Sequence, residues 1–326
     1  MPQFASPVPA VAEAAATATP LGPGAKRVTF VVDGARVVGT LVLPSTYRDG
    51  ERLPLVLVDG PWTQVKEQVG LVYARHLADA GLAAFAIDHR GWGESEGTRA
   101  HESATLKVAD LAAAIGALTA LPAIDAARIG VLGVCAGAGI VSRLAAEDAR
   151  VRAVATTAAW LQHPSTTPLF YGGDEGVAAR IALGDAARAT FERTGVVETV
   201  AAYDPSAGST AAMFFPVPYY AEATRGAIPQ WRNAFAVMGW REWLTMDAIR
   251  HATDIRVPVL MVHSDGSALP DNVRRFFAEL ATPAADKALV WTTGEHTAFY
   301  DQAPQLQAAL DALVPFFRRT LGVTAR

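Results

Sequence analysis

The chain reads as an α/β protein with a mostly parallel sheet covered on both faces. Three observations carry this: short continuous apolar runs, each closed by turn residues; amphipathic helical stretches alternating with them; and an antiparallel hairpin signal ahead of both. The 326 residues are enough for a large core, with 51% hydrophobic and 18% charged residues and a formal net charge of −4. That balance favours neither disorder nor a polybasic nucleic-acid surface. No apolar run approaches the ~18 to 20 residues that cross a bilayer.

In order, "KRVTFVVDGARVVGTLVLP" holds two β-rich runs about an Asp33-Gly34 turn, which predicts a hairpin. "LPLVLVDG", Leu53 to Gly60, is a buried strand, and "KEQVGLVYARHLADAG" is a helix that stops at Gly81. "LAAFAIDHRGWGESEG" is strand then loop, followed by the helix "TLKVADLAAAIGALTAL". "RIGVLGV" is the next strand, running into Cys135 and the small-residue helix "AGAGIVSRLAA"; "VRAVATTAA" follows as another strand. The sheet pattern resumes with "RVPVLMVHSDG", "DNVRRFFAELA", "KALVWTTGEH" and the closing helix "APQLQAALDALVPFFRRTL".

Between these halves, residues 161–251 are helical and aromatic-heavy with no apolar strand. Connections in α/β units take only a few residues, so this excursion predicts a helical cap inserted into a core of residues 27–160 and 252–326. Residues 1–26 are rich in Ala, Pro and Thr, lack a basic start and carry Glu13 where a signal peptide needs an apolar run; the expectation is a flexible arm on a cytoplasmic protein.

Cys135 is the only cysteine, which excludes an intrachain disulfide and a multi-cysteine zinc site. It lies in Gly133-Val134-Cys135-Ala136-Gly137, of the form G-x-nucleophile-x-G, between a strand and a helix. In such a turn the side chain stands above the sheet, and the first amides of the helix point at charge developing there. A buried cysteine can also be plain packing; what favours chemistry is downstream. His296 sits on a loop after the last strand, the place for a base, and its orienting acid should follow the preceding strand. Asp265, just past that strand, is the chosen acid, with Asp271 and Glu295 behind it. An oxyanion hole would combine the Ala136 N–H with one from "VDGPWTQVKE", where Pro61 has no N–H and Trp62 becomes the donor.

Together "GPWTQVKEQ", "AFAIDHRGWGESEG", "RIGVLGVCAGAG", "EDARVRAVATTAAW" and "GEHTAFYD" resemble the α/β-hydrolase superfamily, in particular its dienelactone-hydrolase-like cysteine branch, from about Arg27 onward. The resemblance implies an eight-stranded, mostly parallel sheet and cofactor-independent hydrolysis of esters, lactones or thioesters through a Cys135-Asp265-His296 triad. No cofactor and no metal are implied, and the partner is a small-molecule acyl substrate, with no nucleic acid and no membrane; a homodimer is allowed. The long insert and the sequence "DGPW" depart from the small members of that branch. The cap aromatics Tyr171, Tyr219, Trp231 and Trp240 are candidate pocket walls, or else the core of the cap itself. Two rival readings stand beside hydrolysis: acyl transfer or condensation through the same triad, and a binding protein in which Cys135 is structural.

Overall fold

The computed structural model describes residues 21–323. Strands β1 (Gly24–Val32) and β2 (Ala35–Leu43) form the expected hairpin, with Val32 opposite Ala35. Both turn residues, Asp33 and Gly34, have positive φ (48° and 79°), the geometry that matches the twist of a two-residue hairpin. The flexible arm expected over residues 1–26 lies mostly outside the described residues; its last part is corrected, because Gly24, Ala25 and Lys26 already pair with Leu43, Val42 and Leu41.

The units β3 (Leu53–Asp59), α1 (Val69–Asp79), β4 (Ala83–Asp88), α2 (Ala104–Thr119), β5 (Ile124–Val134), α3 (Gly137–Glu147) and β6 (Val151–Thr157) follow. The insert holds α4 (Pro168–Tyr171), α5 (Gly173–Thr194), β7 (Thr199–Val200), α6 (Pro218–Ala221), β8 (Phe235–Ala236) and α7 (Trp240–Thr245). The chain returns through β9 (Val259–Ser264), α8 (Pro270–Glu279), β10 (Lys287–Thr292), α9 (Ala298–Asp301) and α10 (Ala303–Thr320). Eight strands form one sheet in the order β1-β2-β4-β3-β5-β6-β9-β10. The two pairings of β2 are antiparallel and all others in this sheet are parallel.

Alternation along the central strands sorts the core onto two faces. Val56, Val58, Leu132 and Val134 pack with α1, α10 and the insert; Leu55, Leu57, Ile129 and Val131 pack with α2, α3 and α8. Fully buried parallel strands must be apolar on both sides, which is why they read as continuous hydrophobic runs. The insert is largely helical, as its composition predicts, but β7 and β8 pair antiparallel within it. Two-residue strands are too short to leave an alternating pattern.

Parallel strands end on one side of the sheet, so the loops after β3, β5, β9 and β10 gather there. The insert covers them, in the same apolar cluster as Cys135.

Candidate active site

Cys135 caps β5 with φ +56°, a left-handed conformation rare for a residue with a side chain. The turn is held from four sides: the Cys135 N–H donates to the Thr157 carbonyl (3.2 Å), the Gly137 N–H to Gly60 (2.9 Å), and the Ala138 and Trp160 N–H groups both to the Cys135 carbonyl (3.0 and 2.9 Å). A Cβ at Gly133 would lie 2.6 Å from Ala138 backbone, and one at Gly137 2.6 Å from the Asp59 carbonyl oxygen. The two glycines are thus required by contact between strand, helix and neighbouring loop, and the cysteine between them is lifted to the strand end.

Four groups act on Sγ. Burial pushes the thiol up to about 11, against hydrogen bonds from the Tyr300 hydroxyl and from the Ala136 and Trp62 amides, and against the charge of Lys107. The amides expected to form an oxyanion hole are therefore both beside the sulfur. Tyr300, four residues after His296 and brought in by α9, is a site residue that sequence reasoning passed over, although it lies inside the stretch that pointed to the histidine.

His296 lines the same cavity as Cys135. Its Nε2 is shielded from solvent and has no hydrogen-bond partner among the described residues, while its Nδ1 accepts the Ala268 N–H at 3.2 Å. Burial, and next the neighbouring His263, hold the imidazole down to about 3, so it is neutral at ordinary pH. Edges of Trp160 and Tyr300 meet its ring at 6.2 and 5.6 Å between centroids.

The structure does not bring the chosen acid to the histidine. Asp265 follows β9 as expected, but it is exposed, and its carboxylate accepts from Arg274 at 2.5 Å and from the Trp291 indole at 3.1 Å. Arg274 also holds Asp271 at 2.9 Å, and Glu295 is exposed. What the β9 and β10 loops do share is backbone contact: the His296 N–H donates to the Gly266 carbonyl at 3.2 Å.

The cavity over Cys135 measures about 50 Å³, room for a few waters only. Trp62, Trp160, Tyr171, Phe215, Tyr220 and Trp243 form its aromatic walls. Of the four cap residues expected there, Tyr171 alone lines it. Tyr219 packs behind Tyr300 (5.0 Å), Trp231 behind Tyr220 (5.0 Å), and Trp240 against Phe235, Tyr171 and Trp62 (4.8, 5.5 and 6.0 Å). These three are core of the cap, because an aromatic-rich segment has to bury most of its rings against itself. Trp243, stacked on Trp62 at 4.2 Å and 14° between planes, takes the wall position instead.

Beneath the loop after β3 lies a buried charged network. His89 bridges Asp59 (2.9 Å) and Asp110 (3.3 Å), Asp110 accepts from Arg90 (2.5 Å), and Lys107 pairs with Glu102. Burial alone would lower the imidazole, but the charge of Asp59 and the two carboxylate hydrogen bonds outweigh it and raise it to about 9. Glu67, Asp88 and Glu94 also converge closely enough to hold a cation, but the ammonium of Lys66 occupies that position at 2.7, 2.7 and 2.8 Å.

Residues 69–183 match the family described as serine aminopeptidase, S33, a stretch that includes Cys135. An uncharacterized protein of Pseudomonas aeruginosa, PA2218, is 27% identical over 306 residues, covering 90% of this chain and 80% of that one. Its crystal structure superimposes with a TM-score of 0.78 at 26% identity, covering 91% and 93% of the two chains. The Escherichia coli protein YcjY is 34% identical over 120 residues, 36% of this chain and 39% of its own. The α/β hydrolase GrgF from a Penicillium species superimposes at TM-score 0.77 with 18% identity, over 91% of this chain and 99% of that one. Sheet order, elbow and inserted cap together establish that this chain has the α/β-hydrolase fold, with a buried cysteine at the position of the nucleophile.

Proposed function

We propose that the protein is a cofactor-independent hydrolase of small or medium acyl substrates, an ester, lactone or thioester, with Cys135 as nucleophile. The observation that carries this reading is the strained Cys135 with two backbone amides, Ala136 and Trp62, turned on its sulfur. Packing alone gives no reason to hold a cysteine at φ +56°.

In this reading Sγ attacks the acyl carbonyl while the thiol proton passes to Nε2 of His296. The carbonyl electron pair moves onto oxygen, which takes hydrogen bonds from Ala136 and Trp62. Collapse breaks the bond to the leaving group, which takes the proton back from His296 and leaves a thioester on Cys135. Water, deprotonated by His296, then releases the acid and restores the thiol. Because the thiol sits up at about 11 and the imidazole down at about 3, the resting pair is neutral, and the proton moves during attack rather than before it.

The acid is where this reading parts from a full triad. With Asp265 on Arg274, this reading rests on Cys135 and His296, which line one cavity, with the His296 ring held by the Ala268 amide and not by a carboxylate. The test is incubation with p-nitrophenyl butyrate and intact-mass measurement. A butyryl adduct of the full chain that is absent in Cys135→Ala supports the reading; equal release of p-nitrophenol by that variant overturns it.

The aromatic lining of the cavity also allows acyl transfer beside hydrolysis, since an acyl-enzyme among apolar walls can be taken by an organic acceptor. Adding a primary alcohol or amine and measuring the ester or amide against the free acid separates the two outcomes.

A further inference from the structure

One stretch of the cap touches both catalytic loops without lining the cavity along most of its length. On the β3 side, the Tyr220 hydroxyl donates to the Trp62 carbonyl at 3.2 Å, and the Trp231 indole N–H donates to the Thr63 carbonyl at 2.8 Å. The Gln68 amide, at the start of α1, donates to the Gly226 carbonyl at 2.6 Å. On the β10 side, Arg225 holds Asp301 at 2.6 Å and donates to the Thr297 carbonyl at 3.0 Å. Thr297 follows His296, and Asp301 ends the helix that carries Tyr300.

The β3 loop needs such support. Thr63 has φ +63°, an outlier for a β-branched residue, and its N–H is taken by Glu102 at 3.2 Å. The Trp62 carbonyl and Thr63 N–H are the two ends of one peptide unit, so Tyr220 and Glu102 fix that plane between them. Trp231 fixes the plane after it. The Trp62 N–H, on the other side of the same α-carbon, is thereby aimed.

We propose that residues 219–231 act as a positioning clip, which aims the Trp62 amide through Trp231 and Tyr220 and seats the His296 and Tyr300 loop through Arg225, so that docking of the cap and assembly of the catalytic site are one event. The role given to the Trp62 amide rests on the acyl-enzyme reading above. Trp231 and Arg225 touch no substrate in that reading; they are positioning residues. The clip means that any widening of the cavity of about 50 Å³ by lifting the cap dissolves the site until the cap returns.

Trp231→Phe keeps an aromatic ring and removes the indole N–H; Arg225→Gln removes the ion pair, with Arg225→Lys as the conservative rescue. In the full chain, acylation of Cys135 by p-nitrophenyl butyrate should fall at least tenfold in Trp231→Phe, with KM within twofold. Acylation within threefold of wild type, or a raised KM at unchanged kcat, overturns the proposal. Amide hydrogen exchange supplies an arm that does not depend on chemistry: peptides spanning 59–66 should exchange faster in Trp231→Phe, and those spanning 294–301 faster in Arg225→Gln and near wild type in Arg225→Lys. Unchanged exchange in both loops removes the clip even if the ester reacts. If the wild type takes no acyl group, the functional reading fails, and exchange alone judges the clip.

Discussion

Ala268 donates its amide proton to Nδ1 of His296 at 3.2 Å, so the neutral ring carries its own proton on Nε2. In that tautomer Nε2 has no lone pair free for the thiol proton. Accepting the thiol proton requires the ring proton to move to Nδ1 and the Ala268 bond to open, a change that substrate binding has to bring about.

Asp265 gives a direct measure of how the ring is oriented. An acid that orients a catalytic histidine is worth roughly 10⁴ in kcat. An exposed carboxylate paired with Arg274 is worth about tenfold at most through loop placement. Asp265→Asn is therefore expected to retain activity within about tenfold in steady-state ester hydrolysis, whereas His296→Ala loses about a thousandfold or more. A 10⁴ loss in Asp265→Asn would falsify the two-residue arrangement and show that the carboxylate swings to Nδ1 during turnover.

Thiol reactivity follows from the burial of Cys135. With its thiol pushed up to about 11, the thiolate fraction near pH 7 is about 10⁻⁴ and grows tenfold per pH unit. Alkylation by iodoacetamide, followed by intact mass, should keep rising through pH 9 instead of levelling near 8.5 as an exposed cysteine does. Tyr300→Phe removes a hydrogen bond to the thiolate, worth about 1.5–3 kcal/mol, and should slow alkylation at fixed pH by about tenfold or more.

The acid limb of activity is displaced in the opposite sense. His296 stays neutral down to about 3, so kcat/KM should show no inflection between pH 5 and 7 where a free histidine titrates. The same shift affects stability: between about 3 and 6.5 the unfolded chain binds a proton that the folded chain refuses, so stability falls as pH falls through that window.

The network under the β3 loop has the reverse sign. His89 is raised to about 9, so its contribution is complete below about 6.5 and is lost as pH rises through 9. His89→Gln leaves Asp59 and Asp110 without their shared cation and should cost about 3 kcal/mol at pH 6.5, by urea unfolding. The gap between variant and wild type should narrow by pH 9.5.

The elbow glycines permit one structural check. A methyl at Gly137 would sit 2.6 Å from backbone oxygen of Asp59, atoms that cannot step aside as a flexible side chain does. Gly137→Ala should lower stability by about 1–3 kcal/mol and slow Cys135 acylation, because α3 must back away from the loop that carries Trp62.

Much of the architecture was written locally. Apolar runs ended by glycine, the Asp33-Gly34 turn and helical spacing are decided by near neighbours, so the sheet, its hairpin and the elbow at Cys135 could be read in order along the chain. The amides of Ala136 and Trp62 beside Cys135 could be named in the same way, one from its place after Cys135 and the other because Pro61 has no N–H to offer. Side-chain partnership is a different kind of fact. Asp265 stands at the right distance in sequence, yet its carboxylate turned to Arg274 and Trp291, because an arginine fork and an indole N–H lay within reach on the solvent side. Tyr300 reached Cys135, Trp243 took the wall that Trp240 was expected to form, and Trp231 turned its indole to the Thr63 carbonyl, since packing of the cap settles which ring faces the cavity and which faces its neighbours. By itself the sequence determined the fold and the elbow that seats Cys135; only tertiary packing decided which groups surround that seat, because contacts between residues distant along the chain depend on volume and direction that no local pattern encodes.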